Sequence, residues 1–110
     1  MNSNTTITAS SLYERALGAY LGFACGDALG ATLEFMTPEQ IHETYGLHKD
    51  ITGGGWLGLP QGHVTDATEM TITLSQAIID AQGWDIKVVA DYFVVWLSKH
   101  PTDISEAVLL

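Results

Sequence analysis

A row of glycines at four-residue spacing lies in the most apolar stretch of the chain, residues 16–35. The row consists of Gly18, Gly22, Gly26 and Gly30. In an α-helix, residues at this spacing fall nearly in line on one face. Each glycine costs a helix interior about 1 kcal/mol relative to alanine, so we expect a compensating close approach of another backbone. If that cover is missing, the apolar face should favour self-association.

The first helix-start signal lies close to the N-terminus. Ser11 and Glu14 have the spacing of a capping box, which predicts a helix from Ser11 to about Gly30. The polar residues before it favour a disordered tail over 1–10. A single folded unit is then expected over 11–110.

A second helix and a long loop are predicted next. Thr37 followed by Pro38 is a typical helix start, and Gly46 marks the end of that short helix. Residues 48–64 lose all periodicity and are rich in glycine, which predicts a loop. A loop of this length in a compact domain is usually functional or mobile.

The second half of the chain predicts further helices, so the fold class is all-α. One helix should start at Thr65 or Asp66 and end at Gly83, and Asp85 should cap the next. Both carry apolar side chains at helical spacing for a shared core. Asp103 is expected to open one more helix, whose apolar pattern continues to the last residue. We therefore expect the chain to be the N-terminal part of a larger domain.

Charge and cysteine content exclude several classes of protein. Thirteen acidic residues face four basic ones, giving a net charge of −9. This balance argues against binding to nucleic acid or to an anionic membrane, since no basic patch can be assembled. Asp27 in the middle of the apolar stretch argues against a membrane span. The lone Cys25 excludes an intrachain disulfide and fits a reducing cytoplasm.

Two groups of polar residues are candidates for chemistry, and each has a simpler alternative. Thr65 and Asp66 could hold a hard divalent cation such as Mg²⁺, but residues of this type commonly just cap a helix. Asp27 could line a site on the glycine face, or it could cap a break in the helix or be solvated. Trp56 in the glycine-rich loop is interpreted as a loop anchor.

Several short segments together carry a resemblance to a known family. They are Gly26-Asp27-Ala28-Leu29-Gly30-Ala31, Glu34-Phe35, the glycine-rich loop, and Thr65-Asp66-Ala67-Thr68 followed by Met70. With this spacing the chain resembles the ADP-ribosylglycohydrolases. The segments 45–48 and 52–57 are similar to the branch of that family that reactivates dinitrogenase reductase.

The resemblance implies an incomplete set of the family's helices and a metal-dependent hydrolase. Its members cleave the bond between ADP-ribose and an acceptor, using a binuclear Mg²⁺ or Mn²⁺ centre. In the reductase-activating branch the modified partner is an arginine of the nitrogenase iron protein. The same resemblance makes an ADP-ribosylated protein the expected partner of this chain.

The resemblance also assigns roles to individual residues. Thr65 and Asp66 match metal ligands. Glu34 matches a glutamate that closes over the ribose, and Asp103 matches an aspartate beside the substrate that is needed for turnover. Asp27 matches the family's Gly-Asp element and is expected to support the substrate site.

The chain departs from the family pattern at its metal-binding motif. Ala67 replaces the second aspartate of a Thr-Asp-Asp-Thr element, and Ile104 to Ala107 replace a Gly-Asn-Thr-like element after Asp103. A further Asp-x-Asp-Thr element of the family is absent from the sequence. We expect the isolated chain to be inactive. The alternative is a non-catalytic module that binds ADP-ribose or regulates its removal.

Overall fold

The computed structural model describes residues 8–99, which form four α-helices and no strand. These are α1 (Ala9–Ala31), α2 (Pro38–Tyr45), α3 (Asp66–Ala81) and α4 (Ile86–Ser98). A single antiparallel bridge joins Gly54 and Leu59 within the described part of the loop. The all-α prediction is therefore confirmed. The helix predicted from Asp103 lies outside the described residues.

Helix α1 begins earlier than predicted. Its N-cap is Thr8, whose Oγ1 accepts a hydrogen bond from the backbone N–H of Ser11 at 3.1 Å. Ser11 and Glu14 therefore lie inside the helix, and the predicted start at Ser11 was wrong. Thr8 is the N-cap instead, because its hydroxyl accepts a hydrogen bond from a backbone amide that has no partner within the helix. This earlier start also makes the helix longer. The tail predicted over residues 1–10 lies mostly outside the described residues and stays a prediction.

The other predicted caps are confirmed. Thr37 and Gln40 form a reciprocal capping box at the start of α2, whose C-cap is Gly46. Thr65 caps α3, and Asp85 caps α4 by accepting from two backbone amides. Short polar side chains at these positions accept hydrogen bonds from backbone N–H groups that have no partner within the helix.

Helices α3 and α4 form a hairpin that contains most of the apolar packing. Ala77, Val89 and Trp96 are buried between them. The indole Nε1–H of Trp96 donates to Glu69 Oε2 at 2.9 Å, so the buried ring is also satisfied as a donor. The predicted core stripes therefore meet. α1 contacts α3 through its C-terminal half, where Ala28 and Ala31 are buried.

The glycine face of α1 is open in the described part of the chain. A Cβ added at Gly18, Gly22, Gly26 or Gly30 would meet no atom of another element within 4 Å. The expected close approach of another backbone is therefore absent from residues 8–99. Self-association through this face stays a prediction.

No helix of the described residues, α1 included, is long and apolar enough to cross a membrane.

The glycine-rich loop is docked onto the end of α1. Thr32 is fully buried there, and its Oγ1 donates to the carbonyl of Gly53 at 3.0 Å. Gly55 lies directly against the backbone of Thr32, where an added Cβ would come within 2.5 Å of the carbonyl oxygen. His48 Nε2 donates to the carbonyl of Leu29 at 2.8 Å. The loop therefore has a fixed position although it lacks regular secondary structure.

Replacing Gly55 by alanine should destabilise this loop strongly. The new Cβ would clash with Thr32 in addition to the strain of a φ of +72°. We expect Gly55→Ala to lower the free energy of unfolding by about 2–4 kcal/mol, measured by urea denaturation. Gly58→Ala is the matched control, because Gly58 has a φ of +60° but open space around its Cβ position.

That control should lose only about 1 kcal/mol, the cost of the left-handed backbone alone. Equal losses in the two variants would contradict the contact between Gly55 and Thr32.

Candidate ribose and metal cleft

A cleft of about 400 Å³ opens between the C-terminal half of α1 and the first turn of α3. Its lining contains the candidate residues of two distant parts of the sequence. The lining residues are Gly26, Asp27, Gly30, Ala31, Leu33, Glu34, Thr65, Asp66 and Ala67. The structure therefore brings together every predicted site residue of the described range. Asp103 lies outside that range, so its predicted role stays a prediction.

The Asp27 carboxylate joins the two sides of this cleft. Its Oδ1 accepts from the Thr65 hydroxyl at 2.7 Å, and its Oδ2 accepts from the Thr68 hydroxyl at 2.6 Å. Oδ2 also accepts from the backbone amides of Thr65 at 2.8 Å and Thr68 at 3.3 Å. A negative charge at the N-terminus of α3 is further favoured by the helix dipole. Asp27 is thus a second, tertiary cap on α3.

The electrostatics of Asp27 reflect this environment. Burial alone would raise the pKa of the Asp27 carboxyl. The hydrogen bonds from Thr68 and Thr65 outweigh burial and lower the pKa below its ordinary value. Because every one of these donors stabilises the charged form, Asp27 stays ionised at neutral pH.

We call the Asp27 carboxylate and its four hydrogen bonds from Thr65 and Thr68 the Asp27 clamp. The other candidate residues lie around it. Thr65 is buried, and its Oγ1 both donates to Asp27 and accepts from the backbone amide of Ala67 at 3.2 Å. Asp66 is buried in the first turn of α3. Glu34 is half-buried in the turn that follows α1. Thr65 and Asp66 can therefore lie at a helix start and also line a site, because capping of α3 places both residues at the cleft.

Comparison with known proteins matches the sequence of this chain to one family. The sequence profile of the ADP-ribosylglycohydrolases matches residues 8–109. The chain belongs to the ADP-ribosylglycohydrolase family. It is 46% identical over 98 residues to the ADP-ribosyl-dinitrogen reductase glycohydrolase of Rhodospirillum rubrum, a match that covers 89% of this chain and 33% of that protein.

Other members of the ADP-ribosylglycohydrolase family give similar matches. An ADP-ribosylarginine hydrolase of Serratia proteamaculans is 37% identical over 90 residues, covering 82% of this chain and 23% of that protein. One from Pseudomonas putida is 36% identical over 91 residues, with 83% and 23% coverage. The chain therefore spans a third or less of the length of these curated relatives.

The described residues of this ADP-ribosylglycohydrolase chain do not by themselves fit the binuclear metal centre that the sequence resemblance led us to expect. A hard cation such as Mg²⁺ takes about six oxygen ligands. Of the residues matched to metal ligands, the cleft offers the Thr65 hydroxyl and the Asp66 carboxylate, while Ala67 presents a methyl group. Within residues 8–99, no group of three or more His, Cys, Asp or Glu side chains is placed to hold a metal ion.

The sequence interpretation gave Thr68 no role in this site, although Thr68 belongs to the quoted motif. The residues alone left Asp27 open, and only the resemblance assigned it to the support of the substrate site. Thr68 lies three residues after the N-cap, where its hydroxyl and amide both point back toward the helix start. A lone carboxylate in an apolar helix, together with two threonines at a distant helix start, is the available signal. It does not specify the pairing, because 38 residues separate Asp27 from Thr65.

Removing the charge of Asp27 should destabilise the contact between α1 and α3. In Asp27→Asn an amide N–H₂ would face hydroxyl and backbone donors, so we expect a loss of about 1.5–3 kcal/mol at neutral pH, measured by urea unfolding. The folded pKa of Asp27 is lowered, so its stabilisation is present above the unfolded pKa and is lost as pH falls through the folded pKa.

The difference between the native chain and Asp27→Asn should accordingly shrink as pH falls from about 5 through the lowered pKa of Asp27. Thr68→Val and Thr68→Ser form a matched pair, since only serine keeps the hydroxyl that bonds Asp27. A difference that does not change with pH, or equal loss in the two Thr68 variants, would contradict the clamp.

Metal binding to this chain should be weak. With two protein side chains and water as ligands, we expect Mn²⁺ to bind no better than millimolar, as measured by isothermal titration. Ala67→Asp should strengthen binding only modestly. Ala90→Asp on the exposed surface of α4 adds the same charge elsewhere and should have no effect. Micromolar binding of Mn²⁺ to the native chain would show that more protein ligands reach the metal than Thr65 and Asp66.

Proposed function

We propose that this chain is the N-terminal part of a hydrolase that removes ADP-ribose from arginine side chains of a modified protein. The observation that carries this proposal is the Asp27 clamp, which fixes Thr65 and Asp66 in a cleft beside Glu34. The names of the Rhodospirillum and Serratia relatives support the arginine linkage. The greater identity to the Rhodospirillum protein favours the nitrogenase iron protein as the modified partner.

The proposed reaction breaks the bond between the anomeric carbon of ribose and a guanidinium nitrogen of arginine. Water supplies oxygen to the carbon, and the departing nitrogen receives a proton, which yields ADP-ribose and free arginine. Glu34 would contact the ribose and is suited to hold a proton of the attacking water. Asp103 would act beside the substrate. The Asp27 clamp has a positioning role, because its oxygens are engaged by Thr65 and Thr68.

The metal and the cellular setting are further parts of this proposal. Thr65 and Asp66 would contribute to a Mg²⁺ or Mn²⁺ site only in combination with oxygen ligands from outside residues 8–99. The proposed setting is the cytoplasm, where the exposed thiol of Cys25 stays reduced.

Restoring the rest of the domain should reveal the activity. We would join this chain, carrying Ala67→Asp, to the part of the Rhodospirillum relative that it does not cover. Hydrolysis of ADP-ribosyl-arginine should then appear and require Mn²⁺ or Mg²⁺. Adding Asp103→Ala should lower the rate by about 10²–10⁴-fold, the usual contribution of a positioned acid or base. Glu34→Gln should have a smaller effect if Glu34 mainly contacts the ribose.

The same fusion with Ala67 retained is the control for the metal motif and should be far slower. Equal rates with alanine and aspartate at this position would show that the substitution is harmless. Absence of hydrolysis in the aspartate fusion, with the fold intact by circular dichroism, would count against the proposed function.

A non-catalytic ADP-ribose-binding module is the second candidate, favoured specifically by the methyl group of Ala67 in the cleft. A binding module should gain thermal stability from ADP-ribose without Mn²⁺, because ligand binding to the folded state raises its apparent stability. A segment of a metal-dependent hydrolase should show no such gain with or without Mn²⁺, because residues 8–99 lack most of the oxygen ligands that a metal ion needs. Thermal melts of the native chain with each addition, alone and together, distinguish the two.

A further inference from the structure

The first turn of α3 is held from a second side, by helix α4. The indole Nε1–H of Trp96 donates to Glu69 Oε2 at 2.9 Å. Trp96 lies in the last turn of α4 and is only 9% exposed, whereas its neighbour Val95 is 53% exposed. The indole is therefore directed into the α3–α4 hairpin, where it reaches the start of α3.

Two adjacent residues of α3 thus bond to different helices. Thr68 bonds through its hydroxyl to Asp27 of α1 at 2.6 Å, and Glu69 bonds to Trp96 of α4. Helix α3 contacts α4 more extensively than it contacts α1. Because the Asp27 clamp holds the first turn from one side only, the bond from Trp96 supplies the second point that fixes the rotation of this turn about the helix axis.

The bond between the carboxylate and the indole adds direction to this contact. Glu69 is half-buried, so its charge has lost part of its hydration, and an apolar side chain of similar length would pack on the ring without that cost. Apolar packing is non-directional, whereas a hydrogen bond weakens steeply as its angle departs from the ideal. The bond from Trp96 therefore specifies an orientation of the first turn that apolar packing alone does not.

The orientation of this turn decides where Asp66 lies. Asp66 and Glu69 are three residues apart, a spacing that makes side chains neighbours on the surface of a helix. Asp66 is buried and lines the cleft. A rotation that breaks the bond from Trp96 would therefore move Asp66 and would also strain the Asp27 clamp.

We propose that Trp96 and Glu69 are positioning residues, which together fix the first turn of α3 and so hold Asp66 in its place in the cleft. This inference rests on the proposed function, in which Asp66 contributes to the site. It adds α4 to the elements on which the site depends, although none of the described residues that line the cleft belongs to α4.

Amide hydrogen exchange, measured by nuclear magnetic resonance on the whole chain, tests this role without hydrolysis. The backbone amides of Thr65 and Thr68 donate to Asp27 and therefore report on the first turn. The amide of buried Ala77, further along α3, reports on the general stability of the hairpin. Glu69→Met removes the acceptor but keeps the length of the side chain, and Glu69→Gln keeps an acceptor oxygen.

We expect Glu69→Met to accelerate exchange at Thr65 and Thr68 about fivefold, the usual effect of one lost hydrogen bond, and to change exchange at Ala77 less than about twofold. Glu69→Gln should keep the native rates at Thr65 and Thr68. Equal acceleration at all three amides in the methionine variant, or equal rates in the methionine and glutamine variants, would overturn the proposal.

The role of Trp96 itself is tested by a second pair of variants. Trp96→Phe should accelerate exchange at Thr65 and Thr68 as Glu69→Met does, and the double variant should show no further acceleration because both changes break the same bond. Additive acceleration would contradict the pairing.

Tyr92→Phe is the matched control, because it removes a hydrogen bond between the same two helices, from the Tyr92 hydroxyl to Asp80 in the last turn of α3. Exchange at Thr65 and Thr68 should not change in this variant. An acceleration there equal to that in Glu69→Met would show that any contact between α3 and α4 has the same effect, and would overturn the proposal.

A failure of the proposed function gives a different result. If the fusion described above does not hydrolyse ADP-ribosyl-arginine but the exchange pattern holds, the positioning of the first turn stands without the reaction. If the fusion is active, Glu69→Met should lower kcat about fivefold at a temperature where the variant is folded, and Glu69→Gln should not. An unchanged kcat in the methionine variant would contradict the role of this pair in the site.

Discussion

One carboxylate holds the candidate site together. Asp27 accepts two hydroxyl and two amide hydrogen bonds from Thr65 and Thr68, and it does so at the positive end of α3. Helix α1 contacts α3 less than α4 does, and its buried apolar side chains are small, Ala28 and Ala31. The relative position of the two walls of the cleft therefore depends on polar contacts more than on area. The glycine neighbour at position 26 keeps this part of α1 open toward the cleft.

The loop after α2 supplies the second constraint, and it acts on the turn that follows α1. Thr32 fixes Gly53 and Gly55, and these in turn place Trp56 beside Phe35. The turn between α1 and α2 therefore has two tasks. Its buried threonine anchors the loop, and its half-buried glutamate faces the cleft. The cleft and the anchored loop therefore both depend on side chains at the C-terminal end of α1.

Local signals were sufficient to predict the helices, and non-local pairings were not. Thr37, Thr65 and Asp85 were identified as caps because a cap needs only its own next three residues. The resemblance assigned Asp27 to the substrate site, but its hydrogen-bond partners were not predicted because they lie 38 and 41 residues away. Trp56 was interpreted as a loop anchor, but its side chain is 70% exposed. The sequence around a single loop tryptophan does not indicate whether the side chain is buried. The glycine row predicted a close neighbour, but the described residues leave that face open.

The wide sequence separation of the Asp27 clamp has a consequence for the order of folding. Helices α3 and α4 are joined by a short connection, so their hairpin closes at small entropic cost. The Asp27 contacts must instead close a segment that includes α2 and the whole glycine-rich loop. Contacts with large separation form slowly because chain entropy is lost before they contribute. The hairpin should therefore be an early folded unit, and the cleft should become competent for ligands only in the last step.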